Sequence, residues 1–174
     1  KYSNNMSKIK AHVAISLDGY IAHTDGETNW IPGELAKEIS EIHQTSEILL
    51  AGFNTYEAIF EQCAGIWPYK NTYIISHHDS SALGNENLQF LFSDPFEQIS
   101  TLKKEVAGDI SVIGGGNLIT FLLNNGLLDE LNLYIVPVLL GDGIRFLGKT
   151  FDEDVKCEKS EEYKGATKIC YILN

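Results

Sequence analysis

The sequence predicts an α/β fold with three αβα layers, a mostly parallel sheet and antiparallel strands at its C-terminal end. Strand-length apolar runs alternate with segments of helical period as far as about residue 138, and strand-like runs dominate afterwards. No low-complexity stretch, internal repeat or proline- and serine-rich linker divides the 174 residues. We therefore assign residues 6–174 to one domain, and residues 1–5, which precede the only methionine, to an upstream extension.

The predicted strands are short runs rich in apolar and β-branched residues, bounded by turn residues. They cover residues 9–17, 47–51, 72–76, 88–92, 109–113, 131–138, 155–163 and 167–173. The predicted helices follow the 3.6-residue period or start with capping residues. They begin near Glu34, near Thr55, at Pro95 and near Leu118. Functional residues are expected directly after the strands, because ligands of parallel sheets lie beyond the carboxyl ends of the strands.

Composition and charge exclude several functional classes. The formal net charge is −11 and Arg145 is the only arginine, so a basic surface for nucleic acid is not expected. No apolar run approaches the ~18 residues of a membrane span. Three cysteines without metal-ligand spacing predict a reduced, cytoplasmic protein. No metal is expected, since the adjacent His77 and His78 would point to opposite faces of a strand.

Two strand–glycine–helix passages are the strongest local signals. In the first, the strand that ends at Ile113 runs into Gly114-Gly115-Gly116 and a helix. The glycines permit a sharp turn and the close approach of a ligand, and the free N–H groups of the helix start favour a phosphate. In the second, Thr55 follows Gly52 and either caps a helix or holds a second phosphate oxygen. A tight turn needed only for helix–sheet packing is the alternative for the glycines.

Carboxylates near the first long loop are candidates for binding or acid–base roles. Asp18 beside Gly19 is explained as a turn residue. Glu34 stands in the first turn of a predicted amphipathic helix, where a carboxylate interacts favourably with the helix dipole. It flanks the apolar stripe, so it either serves the helix start or reaches into a cleft. Glu38, one turn later, takes that place if the helix is rotated.

Four segments together resemble a known family. Residues 16–22 (SLDGYIA), 52–57 (GFNTYE), 112–118 (VIGGGNL) and 128–146 (LDELNLYIVPVLLGDGIRF) are similar to the reductase domain of RibD-type riboflavin biosynthesis enzymes, in the dihydrofolate-reductase-like superfamily. The resemblance implies a dihydrofolate-reductase-like fold, a homodimer, and hydride transfer from NADPH to a pterin- or aminopyrimidine-like heterocycle. The reduction of 5-amino-6-(5-phosphoribosylamino)uracil is the example that the family supplies.

The resemblance also assigns roles to individual residues of this chain. It assigns to the cofactor Ala14, Ile21, Gly52, Thr55, Ser76, His77, Gly114, Gly115, Gly116 and Asn117. It assigns Tyr20, Trp30 and Glu34 to the substrate. Glu34 is also assigned as the catalytic carboxylate, partly buried beside the nicotinamide ring. A carboxylate at that place would bind a 2-amino group and a ring N–H bidentately.

Two departures from the family pattern bear on cofactor and substrate. Phe53 stands where the family has an arginine that grips the 2′-phosphate of the cofactor, so NADH is a candidate beside NADPH. Any preference for NADPH then rests on Ser76, His77, His78 or Lys70. Tyr20 replaces a lysine of the site for a phosphorylated sugar and offers a stacking face instead. A nucleotide-binding module of the same fold without turnover is the competing interpretation.

Overall fold

A large sheet with helices on both faces forms the centre of the computed structural model, which describes residues 6–152 and 154–173. The strands are β1 (Ile9–Ser16), β2 (Tyr20–Ala22), β3 (Ile48–Gly52), β4 (Thr72–Ile75), β5 (Leu88–Leu91), β6 (Ile110–Gly114), β7 (Glu130–Val136), β8 (Ile144–Arg145), β9 (Lys156–Tyr163) and β10 (Ala166–Ile172). The helices are α1 (Gly33–Thr45), α2 (Phe53–Gln62), α3 (Pro95–Glu105) and α4 (Gly116–Asn124).

The strand order of the large sheet is β5-β4-β3-β6-β1-β7-β10-β9. Neighbouring strands from β5 to β7 run parallel, whereas β10 is antiparallel to both β7 and β9. The turn between β9 and β10 is Lys164-Gly165, and its positive φ angles, 50° and 81°, suit a tight hairpin. The predicted mostly parallel sheet with an antiparallel C-terminal end is confirmed.

Helices cover both faces of the sheet, which gives the predicted αβα layers. On one face, apolar side chains of α3 and α4 join those of β1, β3 and β6 in the largest core cluster. On the other face, α1 packs over β1 and β7, and α2 packs over β3, β4 and β5. Because side chains alternate along a strand, Ala11 and Val13 of β1 face α3 and α4, while His12 and Ala14 face α1.

Two local features differ from the prediction. Thr55 does not cap a helix, because α2 begins at Phe53 and the N-cap residue is Gly52, directly at the end of β3. Tyr20–Ala22 and Ile144–Arg145, which are not among the predicted strands, pair with each other in a separate two-stranded sheet. Segments this short carry no readable period. The bounds of the predicted strands and the first residues of the four helices lie within two residues of the predicted ones.

Candidate functional site

The carboxyl ends of β3 and β6 bring the two glycine passages together. Ala51 of β3 lies opposite Gly114 of β6 in the sheet register. A Cβ added at Gly52 would lie 3.6 Å from the backbone nitrogen of Gly115, and one added at Gly115 would lie 3.1 Å from Thr55 Oγ1. The two predicted phosphate loops therefore form one continuous surface, made of Gly52, Thr55 and Gly114–Gly116, which we call the glycine surface.

The three consecutive glycines differ in what surrounds them. Gly114 has a φ of 113°, which favours glycine, and a Cβ there would meet no atom within 4 Å. Gly115, joined to Gly114 by a cis peptide bond, faces Thr55. A Cβ at Gly116 would collide with the carbonyl oxygen of Phe146. Close packing alone therefore explains the glycine at position 116, in line with the interpretation that the glycines serve a tight turn. The open space beside Gly114 is available to a ligand.

The amino end of α4 adds donors to the glycine surface. The N-cap residue of α4 is Gly115, so no side chain caps the first N–H groups of the helix. Asn117, the second helical residue, is exposed. Uncapped N–H groups and the positive end of the helix dipole attract anions. The glycine surface and this helix end can together bind phosphate.

A cleft of about 230 Å³ lies between α1 and the sheet. It is lined by His12, Val13, Ala14, Ile31, Ala36, Ile39, Ser40, His43, Tyr69 and Ile113. Ile113 directly precedes the glycine surface, and Ala11 pairs with Val112, which puts Val13 level with Gly114. The cleft, which we call the α1 cleft, therefore lies beside the glycine surface. Apolar walls with a few polar groups are typical of sites for small ligands.

Two histidines form the polar wall of the α1 cleft, and both are anchored to the sheet. His12 Nδ1 lies 3.2 Å from the hydroxyl of Tyr134, and His43 Nδ1 lies 3.1 Å from Ser111 Oγ. Burial lowers the pKa of His12 to about 4, with the charge of Lys168 adding to the effect. Burial likewise lowers the pKa of His43 to about 3. Both imidazoles are therefore neutral at neutral pH.

Sequence reasoning missed these cleft residues, although one signal for them was present. His12 lies two residues before Ala14 on a strand, so the two side chains share a face. The assignment of Ala14 to the site therefore implied that His12 faces it as well. Whether His43 and Ser40 face the cleft depends on the rotation of α1 about its axis, which the sequence indicates less clearly.

The predicted place of Glu34 in the cleft is not what the structure shows. Glu34 is exposed, and the face of α1 toward the cleft carries Ala36, Ile39, Ser40 and His43. At about 100° per residue, Glu34 lies roughly 200° around the helix from Ala36. Glu38 does not replace it, because Glu38 accepts a hydrogen bond from the Tyr163 hydroxyl and pairs with Lys164. These two partners lower the pKa of Glu38 and hold it against the β9–β10 hairpin.

The other two predicted substrate residues lie near the carboxyl edge but outside the cleft lining. Trp30 packs against the cluster that contains Ala14 and Leu35, and its indole N–H is buried without a hydrogen-bond partner among the described residues. A buried donor without a partner is uncommon and indicates a place for a ligand or a water. Tyr20 lies opposite Arg145 on the small sheet, and its ring centre is 5.5 Å from the guanidinium carbon.

Ser76 and His77, which are predicted to contact the adenosine end of the cofactor, follow β4, and Phe53, which replaces the family arginine, is the first residue of α2. Ser76 is buried, and its hydroxyl accepts a hydrogen bond from the backbone N–H of His78 at 3.2 Å. His77 is exposed. Phe53 packs its ring against Tyr56 and Phe90, with centre distances of 5.8 and 6.3 Å. Position 53 therefore belongs to an aromatic cluster and supplies no cation.

Asp18 joins the loops that frame this edge of the sheet. Its carboxylate accepts hydrogen bonds from Ser16 Oγ at 2.7 Å and from the backbone N–H groups of Leu140 and Gly141 at 3.1 and 2.8 Å. The bond from Ser16 is the main cause that lowers the pKa of Asp18 to about 2. The predicted turn role of Asp18 thus extends to a loop more than 120 residues away. Ile21, on β2, packs against the largest core cluster.

Within residues 6–152 and 154–173, no three side chains of His, Cys, Asp or Glu come together as a ligand set. No helix in the same part of the chain is long and apolar enough to cross a bilayer.

The chain is similar in sequence and in fold to several known proteins. The chain is 26% identical over 171 residues to the uncharacterised protein YwjB of Bacillus subtilis, covering 95% of this chain and 97% of YwjB. Its structure resembles RibD of Acinetobacter baumannii (TM-score 0.76, 20% identity, 99% of this chain and 59% of that chain). It also resembles dihydrofolate reductase of Enterococcus faecalis, solved with NADP(H) and RAB-propyl (TM-score 0.72, 18% identity, 96% of each chain). The family model of the RibD C-terminal domain matches residues 61–170, and the chain therefore belongs to the RibD C-terminal domain family.

Proposed function

We propose that this protein is an NAD(P)H-dependent reductase that binds its cofactor across the carboxyl edge of the sheet and a heterocyclic substrate in the α1 cleft. The observation that carries the proposal is that the glycine surface and the α1 cleft lie side by side at this edge. A bound nicotinamide would supply a hydride to a C=N or C=O carbon. Membership of the RibD C-terminal domain family and the NADP(H) named for the Enterococcus faecalis enzyme support this choice.

The glycine surface fits a pyrophosphate. The space beside Gly114 is open, and the first N–H groups of α4 have no side-chain cap. The hydroxyl of Thr55 faces Gly115 and offers a further donor. A pyrophosphate here would therefore be held by backbone N–H groups, the helix dipole and one hydroxyl.

The adenosine end offers little to distinguish NADPH from NADH. A guanidinium fork is the group that best recognises a phosphate, and the family arginine is replaced by Phe53 inside an aromatic cluster. The neighbouring candidates are Ser76, occupied with its own loop, and the exposed His77. We therefore propose that both cofactors bind.

The residues of the α1 cleft bind and orient the substrate. Ala14, Ile39 and Ile113 supply apolar walls that exclude water from a flat ring. Holding that ring against the cofactor is the main contribution expected of the protein, since orientation alone accounts for a large part of catalysis. A pterin- or aminopyrimidine-like heterocycle, as in the reduction of 5-amino-6-(5-phosphoribosylamino)uracil, matches these walls.

A fluorescence titration with NADPH and NADH, followed by turnover assays, tests the proposal. We expect both cofactors to bind and to be oxidised by at least one member of a panel of pterins and pyrimidines. If neither cofactor bound at millimolar concentration, the proposed reductase function would be refuted. Binding without oxidation across the panel would favour the nucleotide-binding module.

We also propose a homodimer, on the family resemblance. Residues 131–140 form an apolar segment longer than one buried strand requires, but most of it is β7, which lies inside the sheet between β1 and β10 and offers no face for a partner at its edge. Light scattering at micromolar concentration checks the proposal, and a monomer mass would refute it.

A further inference from the structure

We propose that His12 presents its Nε2–H group to the α1 cleft and donates a hydrogen bond to an acceptor atom of the substrate ring. The proposal rests on the function proposed above, since it names a residue of the same site. His12 lines the cleft from β1, and its ring is tied to the sheet through Nδ1 alone. The sequence suggested that Glu34 of α1 binds the substrate ring, and this proposal gives that role to the neutral imidazole of His12 on β1.

The hydroxyl of Tyr134 fixes the tautomer of His12. Tyr134 is fully buried, and its hydroxyl contacts His12 Nδ1 as its one hydrogen-bond partner among the described residues. Burial also raises the pKa of this hydroxyl, so it keeps its proton and must place it on an acceptor. The acceptor is Nδ1. A neutral imidazole that accepts at Nδ1 carries its own proton on Nε2.

Nε2 of His12 makes no hydrogen bond within the described residues, and the ring lines both the α1 cleft and a second cavity that is bordered by Lys10 and Ser111. The donor is assigned to the α1 cleft, because that cleft lies beside the glycine surface. His12 and Ala14 share a face of β1, and two residues of a strand span about 7 Å. A flat ring lying over Ala14 therefore brings an edge atom to His12.

The surroundings select a neutral ring with acceptor atoms. Among the described residues no carboxylate lines the cleft, and its polar groups are His12, Ser40, His43 and Tyr69. The positive charges of Lys168 and Lys10 disfavour a protonated His12, whereas the negative charge of Glu130 favours it. A protonated diamino ring needs a carboxylate partner and finds none here. A ring carbonyl can instead accept from His12.

A matched pair of probes tests this preference. Pteridine-2,4-dione carries carbonyl acceptors where 2,4-diaminopteridine carries amino donors, and the two rings have the same shape. Fluorescence titration of the protein saturated with NADPH, and again without it, gives the affinity for each. We expect the wild-type protein to bind the dione at least 10-fold more tightly. Equal affinities, tighter binding of the diamino ring, or no binding of the dione at millimolar concentration would overturn the proposal.

Variants of His12 separate the donor from the ring. His12→Gln keeps an N–H at the position of Nε2, whereas His12→Asn keeps only the group that meets Tyr134. We expect His12→Asn to weaken dione binding about 10-fold and His12→Gln to stay within about 3-fold of wild type. His23→Asn, a histidine outside the cleft lining, is the matched control. Unchanged dione affinity in His12→Asn would refute the donor role.

Two further measurements keep the outcome clear. NADPH affinity is measured in every variant, because its absence in the wild type would refute the proposed cofactor while leaving the dione result interpretable. Nitrogen NMR of the wild-type protein reports the tautomer of His12 directly, whether or not the variants fold. Protonation at Nδ1 would overturn the proposal, and protonation at Nε2 would support it.

Discussion

Replacing Gly115 with alanine separates ligand binding from folding at the glycine surface. The backbone of Gly115, with φ −92° and ψ −164°, is one that any residue adopts, so the new side chain causes no backbone strain. Its Cβ would lie 3.1 Å from Thr55 Oγ1, which requires a shift of a few tenths of an ångström. We expect the free energy of unfolding to change by less than about 1 kcal/mol, the scale of other tolerated glycine-to-alanine changes.

The effect on the cofactor is expected to be much larger. A phosphate oxygen that accepts a hydrogen bond from the Thr55 hydroxyl lies about 2.7 Å from Oγ1, in the space that the new Cβ would occupy. Losing one or two charge-assisted hydrogen bonds costs about 3 kcal/mol, or roughly a 100-fold rise in Kd. Fluorescence titration with NADPH measures Kd, and urea unfolding measures stability. Gly148→Ala, whose Cβ would make ordinary contacts at 3.6 Å, is the control. A Kd within 3-fold of wild type would refute the phosphate surface.

Three further predictions concern stability and cofactor choice. Leu122→Ala, at a fully buried position of α4, should cost about 2–5 kcal/mol in urea unfolding, and a loss under 1 kcal/mol would contradict its place in the core. The pKa values of His12 and His43 are lowered in the folded protein, so the stability that their neutral forms contribute is complete above about pH 6.5 and is lost as pH falls toward 4. Urea unfolding at pH 7 and pH 5 should show a drop of about 1 kcal/mol or more, reduced by roughly half in His43→Leu, because His12 still titrates. The Kd values of NADPH and NADH should lie within about 10-fold of each other, because Phe53 supplies no cation, and a 100-fold preference in the same titration would contradict this.

The sheet and the glycine surface were predictable because each follows from one general rule. Alternating strands and helices give a parallel sheet, and parallel strands bring their carboxyl ends to one edge. Gly52 and Gly114 are the last residues of β3 and β6, so their proximity at this edge needed no further information. The contact of Asp18 with Leu140 was not predictable, because it joins loops 122 positions apart and depends on how the small sheet folds over the edge.

The α1 cleft shows why site residues are harder to predict than folds. The apolar stripe of α1 identifies its buried side, but the cleft lies at the border of that stripe, where a small rotation exchanges one side chain for another. Glu34 and Ala36 are two residues apart and face nearly opposite ways. His12 was accessible to sequence reasoning through strand alternation, since Ala14 on the same face had been assigned to the site.

The net charge of −11 creates a further expectation for cofactor binding. A chain of 174 residues has a radius of gyration of about 16 Å. At that distance in water, the full charge repels one negative charge by about 3 kcal/mol without salt. Screening reduces this to roughly 2 kcal/mol at 0.01 M and about 0.4 kcal/mol at 0.15 M ionic strength. The attraction of a helix amino end, at about 0.3–1 kcal/mol, is smaller than that change.

Cofactor affinity should therefore rise with salt. We expect the Kd of NADPH to fall by at least about 10-fold between about 10 and 150 mM NaCl, because the repulsion relieved is roughly 1 kcal/mol or more for each of the several negative charges of the cofactor. NADH, with one phosphate fewer, should respond less, and it serves as the internal control in the same titration. A Kd that increases with salt would mean that nearby cations, such as the sole arginine Arg145 beside Tyr20, contact the phosphates directly and outweigh the net charge.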